Sequence, residues 1–145
     1  MPGPVARILA PLDLDEQASP ALAKAAAIAK KEGSVLVLLH VIPSEAPNRL
    51  LARASGAGEP GVGEEFALEQ LELLARAPAA QGVGYEVRVT RGNPAQKILD
   101  TATEENVDLI VLSDRRDRSR LREWLLGSTA YDVVRHASTN VLVVR

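Results

Sequence analysis

Two segments of this chain are apolar on both faces, and this feature limits the fold more than any other. Residues 34–42 read SVLVLLHVI and residues 107–113 read VDLIVLS. A β-strand that lacks apolar/polar alternation is stable where helices cover both faces of its sheet. Both segments are therefore predicted to be central strands of a parallel sheet.

Strand-like and helical segments alternate along the rest of the chain. The predicted strands cover residues 5–12, 34–42, 82–90, 107–113 and 139–145. The predicted helices cover residues 15–32, 64–81, 93–106 and 127–137, and the second of them is helical in pattern until Pro78. Strict alternation implies right-handed crossovers between parallel strands. We predict one α/β domain over residues 1–145, a doubly wound five-stranded parallel sheet with helices on both faces.

Capping residues, prolines and glycines predict where helices begin and end. Asn93-Pro94 is a strong helix start, and Ser19-Pro20 or Asp15 can begin the first helix, which Gly33 should end. The segment Pro43–Gly63, which contains ASGAGEPGVG, is too rich in proline and glycine for regular structure and predicts a long loop.

Composition excludes several classes of function. A net charge of −2 gives no overall attraction to nucleic acid or to an anionic membrane. The chain has no cysteine, which rules out disulfides, thiolate metal sites and cysteine nucleophiles. Its apolar runs are far shorter than the roughly 20 residues that span a bilayer, and residues 1–10 show no export signal. We expect a soluble, cytoplasmic protein that binds neither nucleic acid nor membrane.

The polar ends of two predicted strands suggest a ligand site. Open α/β sheets bind ligands beyond the carboxyl ends of their strands, where the strand order reverses. If the first and fourth strands are neighbours there, Pro11, Leu12 and Asp13 face Ser113 and Asp114 across a crevice. The Asp13 carboxylate could accept hydrogen bonds from a ribose or a base edge, or Asp13 could be a turn residue or helix cap.

Gly127, Ser128 and Thr129 stand at the predicted start of the last helix. Backbone N–H groups and hydroxyls at a helix start can hold an anion. The alternative is that Ser128 or Thr129 simply caps its own helix. The residues alone leave both interpretations open.

An arginine-rich loop precedes that helix. Its guanidinium groups could converge on phosphates; they belong to Arg115, Arg116, Arg118, Arg120 and Arg122. Asp114, Asp117 and Glu123 are interleaved with them, so a solvated loop that pairs its own charges is the alternative.

Catalytic motifs are missing from the sequence. His40 and His136 have no carboxylate or serine at catalytic spacing and are predicted to be structural. We find no nucleophile elbow, no Walker-type phosphate loop and no metal-ligand cluster, and we expect no enzyme beyond a slow ATPase. The last strand should be an apolar edge, which predicts a homodimer through Val141–Val144.

Taken together, ILAPLD, LLHVIP, GNPAQKIL, VDLIVLS and LLGSTAYDVVRHASTNVLVVR resemble the universal stress protein family. The resemblance implies an adenine-nucleotide alpha-hydrolase-like fold with strand order 3-2-1-4-5 and dimers through the last strand. It also implies ATP at the carboxyl ends of strands one and four. Pro11, Asp13 and Val41 would then flank adenine and ribose, while Gly127, Ser128 and Thr129 would bind phosphate.

The chain departs from that family's nucleotide-binding pattern, which is Gly, two residues, Gly, nine residues, Gly-Ser or Gly-Thr. The two earlier glycines fall on Asp114 and Asp117 in one register and on Ser113 and Arg116 in the other. Glycine is used at such positions because a side chain blocks close approach of backbone to phosphate. Aspartate would also repel a triphosphate.

Three functions follow from the sequence. The first is a non-enzymatic regulatory module of the stress response, with a degenerate site, weak or no ATP binding, and a protein partner that the sequence does not identify. The second is an ATP-binding switch or slow ATPase, with Mg²⁺, in which Arg115 and Arg116 replace the glycines. The third is a flavin- or nucleotide-dependent enzyme, against which the 3% aromatic content argues.

Overall fold

A parallel sheet flanked by helices forms the part of the chain that a computed structural model describes, namely residues 5–14, 19–44, 62–114 and 127–145. The elements within these ranges are β1 (Arg7–Pro11), α1 (Pro20–Glu32), β2 (Val35–Ile42), α2 (Val62–Ala80), β3 (Tyr85–Arg91), α3 (Pro94–Glu104), β4 (Leu109–Ser113), α4 (Ser128–His136) and β5 (Asn140–Val144). All neighbouring strands are parallel, and their order is β3-β2-β1-β4-β5. The predicted doubly wound α/β fold is confirmed.

Two helices begin at the predicted cap-and-proline pairs. Ser19 Oγ accepts a hydrogen bond from the Leu22 N–H at 3.1 Å, and Asn93 Oδ1 accepts one from the Gln96 N–H at 3.0 Å. Pro20 and Pro94 follow at the first helical position, where a missing N–H has no cost. Gly33 ends α1 in the left-handed conformation, as predicted. Asp15, the other predicted start, lies outside the described residues.

Helix α2 exceeds its predicted bounds at the N-terminal end. It begins at Val62, so Val62 and Gly63 are helical although the sequence predicted a loop through residue 63. The remainder of that loop, residues 45–61, lies outside the described residues. Near the other end Pro78 is inside the helix, which nevertheless continues to Ala80. Because the helix ends there, the proline disturbs only the last turn.

The two faces of the sheet are covered by different helix pairs. Helices α1 and α2 pack on one face, which presents Ile8, Ala10, Leu36, Leu38 and Val111. Helices α3 and α4 pack on the other, which presents Leu9, Val37, Leu39, Ile110 and Leu112. The alternation of odd and even residues between two apolar layers explains why β2 and β4 read as continuous apolar runs.

Paired charges close the amino end of the sheet. The Arg7 guanidinium lies 2.7 Å from Glu86 Oε2 and 2.7 Å from Glu105 Oε2. The Asp108 carboxylate accepts from the Ala6 and Arg7 N–H groups at 2.8 and 3.0 Å. The hydrogen bond from Arg7 holds the pKa of the Glu86 carboxyl below its ordinary value, and that same bond raises the pKa of Arg7.

Strand ends differ from the predictions by at most three residues, and the carboxyl ends of β2 and β4 coincide with them. The fourth strand was predicted from Val107, but β4 begins at Leu109. The Asp108 side chain just before it accepts from the N–H groups of Ala6 and Arg7 at the start of β1. None of the helices in the described ranges combines the length and the apolar character needed to cross a bilayer.

Candidate functional site

The sheet opens between β1 and β4 at its carboxyl end. Pairing of these strands comprises Ile8 with Leu109 and Leu9 with Ile110. In contrast, β1 stays paired with β2 as far as Pro11, and β4 stays paired with β5 as far as Ser113. The two halves of the sheet therefore separate at the point where the strand order reverses, which is where open α/β sheets bind ligands.

A cavity of about 300 Å³ occupies this opening. Its size is at the lower limit for small-molecule sites, which run from roughly 300 to 1,000 Å³. It is lined by the ends of β1, β2 and β4 and by the starts of α1, α3 and α4; these residues are Pro11, Leu12, Asp13, Ser19, Leu39, His40, Val41, Pro43, Pro94, Ile98, Leu112, Ser113, Gly127, Ser128, Thr129 and Ala130.

Eight predicted site residues meet around this one cavity, although they come from distant parts of the chain. They are Pro11, Leu12, Asp13, Val41, Ser113, Gly127, Ser128 and Thr129. Asp114 was predicted to join them but is not among the lining residues, and its N–H donates to the Val144 carbonyl at 2.8 Å. Arg115 and Arg116 lie outside the described residues, so their role stays a prediction.

The start of α4 faces the cavity, and the residue at its N-cap position brings no capping side chain. Gly127 occupies that position, and as a glycine it has no side chain to accept a hydrogen bond from the first turn. The alternative that Ser128 or Thr129 caps this helix is therefore wrong, because both residues lie inside the helix rather than ahead of it. The starts of α1 and α3 differ, since Ser19 and Asn93 cap them.

The carboxyl end of β1 is held from one side. The Leu12 N–H donates to the Leu39 carbonyl at 2.7 Å, and the His40 ring nitrogen Nδ1 is 2.8 Å from the Leu12 carbonyl oxygen. Asp13 follows and is exposed at the cavity. Ser19 caps α1, so the interpretation of Asp13 as that cap is wrong.

Sequence reasoning missed part of the lining. Ser19, Pro94 and Ile98 were not predicted to belong to the site, and His40 was predicted to be merely structural. The signal for Ser19 and Pro94 was available, because helices that follow parallel strands begin at the carboxyl end of the sheet. No comparable signal marks Ile98, whose position depends on how α3 rotates against β2.

The lining has an apolar part and an anion-binding part. Val41, Pro94 and Ile98 offer apolar surface to a flat organic group, while the α4 start offers N–H groups and two hydroxyls to an anion. Among the lining residues that the structure describes, Asp13 is the only carboxylate, and neither Lys nor Arg is present. The described ranges contain no group of three His, Asp or Glu side chains able to hold a metal ion.

A second cavity of about 330 Å³ lies at the opposite end of the molecule. It is lined by the ends of α3 and α4 and the turns that follow them, including Thr103, Asn106, His136 and Thr139. The C-terminal ends of helices carry partial negative charge, which disfavours the binding of an anion. The two cavities therefore differ in the sign of charge that they favour, although their sizes are similar.

Comparison with known proteins identifies relatives of the whole chain. Residues 4–145 match the model of the universal stress protein family. A universal stress protein of Synechocystis is 32% identical, covering 96% of this chain and 97% of its own. One from Bacillus subtilis is 31% identical, covering 96% of this chain and 98% of its own.

Solved structures share the adenine-nucleotide alpha-hydrolase-like fold. A universal stress protein from Lactobacillus plantarum has a TM-score of 0.77 at 26% identity, covering 97% of this chain and 98% of its own. A protein from Archaeoglobus fulgidus in complex with dAMP has a TM-score of 0.70, covering 97% of this chain and 98% of its own. A third, in complex with cAMP, has a TM-score of 0.72 and covers 97% of each chain. The last two are 21% identical to this chain, which establishes a common fold.

Proposed function

The chain belongs to the universal stress protein family, and on that premise we propose that it is a regulatory protein that binds an adenine nucleotide reversibly, without turning it over. The nucleotide occupies the crevice between β1 and β4. The observation that carries this proposal is the uncapped start of α4, which presents Gly127, Ser128 and Thr129 to a cavity at the point of strand reversal. A phosphate is the group that such a helix start suits best.

Base and ribose fit the other part of the crevice. Val41, Pro94 and Ile98 give apolar contact to a purine ring, and the Asp13 carboxylate can accept from ribose hydroxyls. The cAMP and dAMP found in two proteins of the same fold are ligands of this chemistry. Both are adenine mononucleotides with a single phosphate, which suits a cavity of about 300 Å³.

We propose that affinity falls short of tight ATP binding. The loop positions where the family's nucleotide-binding pattern has glycine hold charged residues or serine here. Among the described lining residues no Lys or Arg neutralises phosphate. The α4 start then supplies the main attraction, and a helix terminus contributes about 0.3–1 kcal/mol at exposed sites. One phosphate gains from this contact, and further phosphates gain little.

Absence of turnover is part of the same proposal. The hydrolysis of ATP needs a positioned water and stabilisation of charge on the transferred phosphate. The described lining residues include one carboxylate, Asp13, and no cation. Mg²⁺ binds together with ATP and is coordinated by phosphate oxygens, since the described residues offer no cluster of metal-binding side chains. Slow hydrolysis would instead support the alternative in which Arg115 and Arg116 complete the site.

The test is calorimetric titration with AMP, ATP and GTP, each triphosphate with Mg²⁺. We expect saturable binding of AMP, binding of ATP no tighter than about tenfold beyond AMP, and weaker binding of GTP. No phosphate should be released from ATP over hours. Failure of AMP and ATP to bind at millimolar concentration would overturn the proposal.

A matched pair of double variants locates the site. Ser128→Ala/Thr129→Val removes both hydroxyls at the α4 start and should weaken AMP binding by at least about tenfold, because one hydrogen bond to a charged group contributes about 1.5–3 kcal/mol and about 1.4 kcal/mol corresponds to tenfold. Ser138→Ala/Thr139→Val makes the same changes beside the other cavity and should leave affinity unchanged. Equal losses in the two variants would place the nucleotide elsewhere.

We also propose a homodimer through the outer edge of β5, at Val141–Val144. The Val144 carbonyl accepts from the Asp114 N–H, so the backbone groups of Val144 and Leu142 face β4 and those of Val143 face outward. Val143→Pro removes an outward N–H and should convert the dimer to a monomer in light scattering while the fold survives. Leu142→Pro, which breaks the ladder to β4, should unfold the protein. A wild-type monomer would refute the dimer.

Placement in the cytoplasm and action through a protein partner complete the proposal. Both rest on the family and on a net charge of −2, which gives no attraction to nucleic acid or anionic membrane.

A further inference from the structure

His40 occupies a position that joins the core to the crevice. It belongs to β2, whose other residues are apolar, and it also lines the cavity. Its Nδ1 lies 2.8 Å from the Leu12 carbonyl oxygen. A carbonyl oxygen accepts and never donates, so Nδ1 must carry the proton. The structure thus fixes one protonated nitrogen of the ring.

Leu12 is thereby bound to β2 through both of its peptide groups. Its N–H donates to the Leu39 carbonyl at 2.7 Å, and its carbonyl accepts from His40. The pairing of β1 with β4 ends at Leu9, so these β2 contacts hold the chain where the crevice begins. Pro11, which lies between Leu9 and Leu12 in the chain, has no backbone N–H to donate to either neighbouring strand.

The direction of the Leu12 carbonyl determines what the next peptide group presents. A peptide bond is planar and trans, so the N–H of Asp13 points opposite to the carbonyl of Leu12. The carbonyl points to β2, and the Asp13 N–H therefore points to the β4 side, where the sheet is open. The same bond sets the direction in which the Asp13 side chain leaves the backbone.

We propose that His40 is a positioning residue for the nucleotide site, which acts by orienting the Leu12–Asp13 peptide toward the ligand. This inference rests on the proposed function and adds a residue to it. Without the imidazole, the carbonyl of the buried residue Leu12 loses its hydrogen-bond partner, and an acceptor left without a partner destabilises the conformation that places it there. The chain can recover that free energy by rotating the peptide, which turns Asp13 away from the crevice.

Two variants of His40 separate this role from simple packing. His40→Leu keeps the volume and loses the donor. His40→Asn keeps a donor, because the asparagine amide nitrogen is attached to the same γ-carbon position as Nδ1. We expect the leucine variant to bind AMP about tenfold more weakly than the wild type and the asparagine variant to stay within about threefold.

Ser34→Ala is the matched structural control. The Ser34 hydroxyl donates to the Val5 carbonyl, and Ser34 is buried. This bond connects the chain before β2 to the chain before β1 at the amino end of the sheet, whereas the bond of His40 connects the same two strands at the carboxyl end. Its removal should lower the midpoint of thermal unfolding and leave the dissociation constant of AMP unchanged. A role confined to stability would make His40→Leu behave in the same way, which would overturn the proposal.

A nuclear magnetic resonance measurement on the ligand-free protein makes the outcome independent of nucleotide binding. In the wild type the Nδ1 of His40 should carry its proton, and the Asp13 amide signal should shift in His40→Leu and return in His40→Asn. An unchanged Asp13 signal in the leucine variant would refute the positioning role. If the wild type bound no nucleotide but the signal shifted as expected, the proposed function would fail while the peptide orientation stood.

Discussion

Both ends of the parallel sheet carry polar side chains, but these side chains have different surroundings at the two ends. At the amino end Arg7 is bonded to Glu86 and Glu105, and Asp108 accepts two backbone N–H groups. At the carboxyl end Ser128 and Thr129 stand at an uncapped helix start beside a cavity.

The difference shows which polar groups serve the fold and which are available to a ligand. The charged side chains at the amino end form ion pairs and hydrogen bonds that link strands and helix ends. Removing one of these side chains should therefore lower the free energy of unfolding. Donors at the carboxyl end face a space large enough for a small molecule, so their removal should cost binding. Four predictions test this division, from the largest expected effect to the smallest.

The largest effect should come from Arg7→Met. This change removes a side chain that is 26% exposed and that makes the shorter contacts with Glu86 and Glu105, and it leaves the more exposed Arg88 as the arginine that still contacts both carboxylates in the described structure. We expect a loss of about 2 kcal/mol in the free energy of unfolding, between the values for exposed and buried pairs. Urea denaturation measures it, and AMP affinity should stay unchanged.

Arg88→Met is the control for that change. Arg88 contacts the same two carboxylates but is 43% exposed, so its loss should cost less than about 1 kcal/mol. Equal losses for the two arginines would show that burial does not set the strength of this network. A loss of AMP affinity in Arg7→Met would contradict the separation of the two ends.

Nucleotide should protect one end of the sheet alone. At about ten times its dissociation constant a ligand stabilises the bound state by about 1.4 kcal/mol. Amides that exchange through local opening should slow at Leu12, Asp13 and Thr129, and those of Ala6 and Arg7 should not. Hydrogen exchange followed by nuclear magnetic resonance measures this. Equal slowing at both ends would contradict a local site.

Acid should weaken the amino end first. The pKa of Glu86 is lowered from its ordinary value of 4.5, chiefly by its hydrogen bond with Arg7. A lowered pKa contributes stability that is present above pH 4.5 and is lost as pH falls below it toward the folded value. Glu86 is 37% exposed, so screening keeps this loss below about 1 kcal/mol.

Urea denaturation at pH 7, 4.5 and 3 checks that expectation. Glu86→Gln removes the titrating carboxylate and should have a flatter dependence on pH than the wild type. An identical dependence in the two proteins would show that other carboxylates account for the loss.

The smallest effect is spectroscopic. The Tyr85 hydroxyl donates to Glu72 Oε2 at 2.6 Å, and this bond raises the pKa of Tyr85 above its ordinary value of 10.0. In Tyr131→Phe, which leaves Tyr85 as the single tyrosine, absorbance should report ionisation above that value. Adding Glu72→Gln should lower the midpoint of the Tyr85 ionisation, because it removes the carboxylate that raises the pKa of this tyrosine. No change on that addition would show that the bond does not form in solution.

Part of the site was predictable because it follows from chain order. Buried runs at residues 34–42 and 107–113 predicted two central strands, and the family resemblance implied the strand order that brings the ends of β1 and β4 together, which the structure confirms. Asn93-Pro94 was predicted to start a helix and does so. The strands and the helix start depend on local preference, which sequence periodicity and capping residues indicate, whereas the strand order was an implication of the family resemblance.

The start of α2 could not be predicted in the same way. Val62 and Gly63 follow a proline- and glycine-rich stretch, so local preference opposes helix there. Contacts of α2 with the sheet, such as those of Leu71 and Ala75 in the core, outweigh that preference. Packing therefore decided the boundary.

The sequence by itself determined the element order, the parallel sheet, the cap-and-proline helix starts and the candidate residues at strand ends. These depend on neighbours along the chain, and periodicity carries that information. Tertiary structure alone decided that Arg7 meets Glu86 and Glu105, that His40 holds the Leu12 carbonyl, and that Gly127 leaves α4 uncapped. These contacts join distant residues or depend on exact backbone angles, and both are set when the helices pack on the sheet.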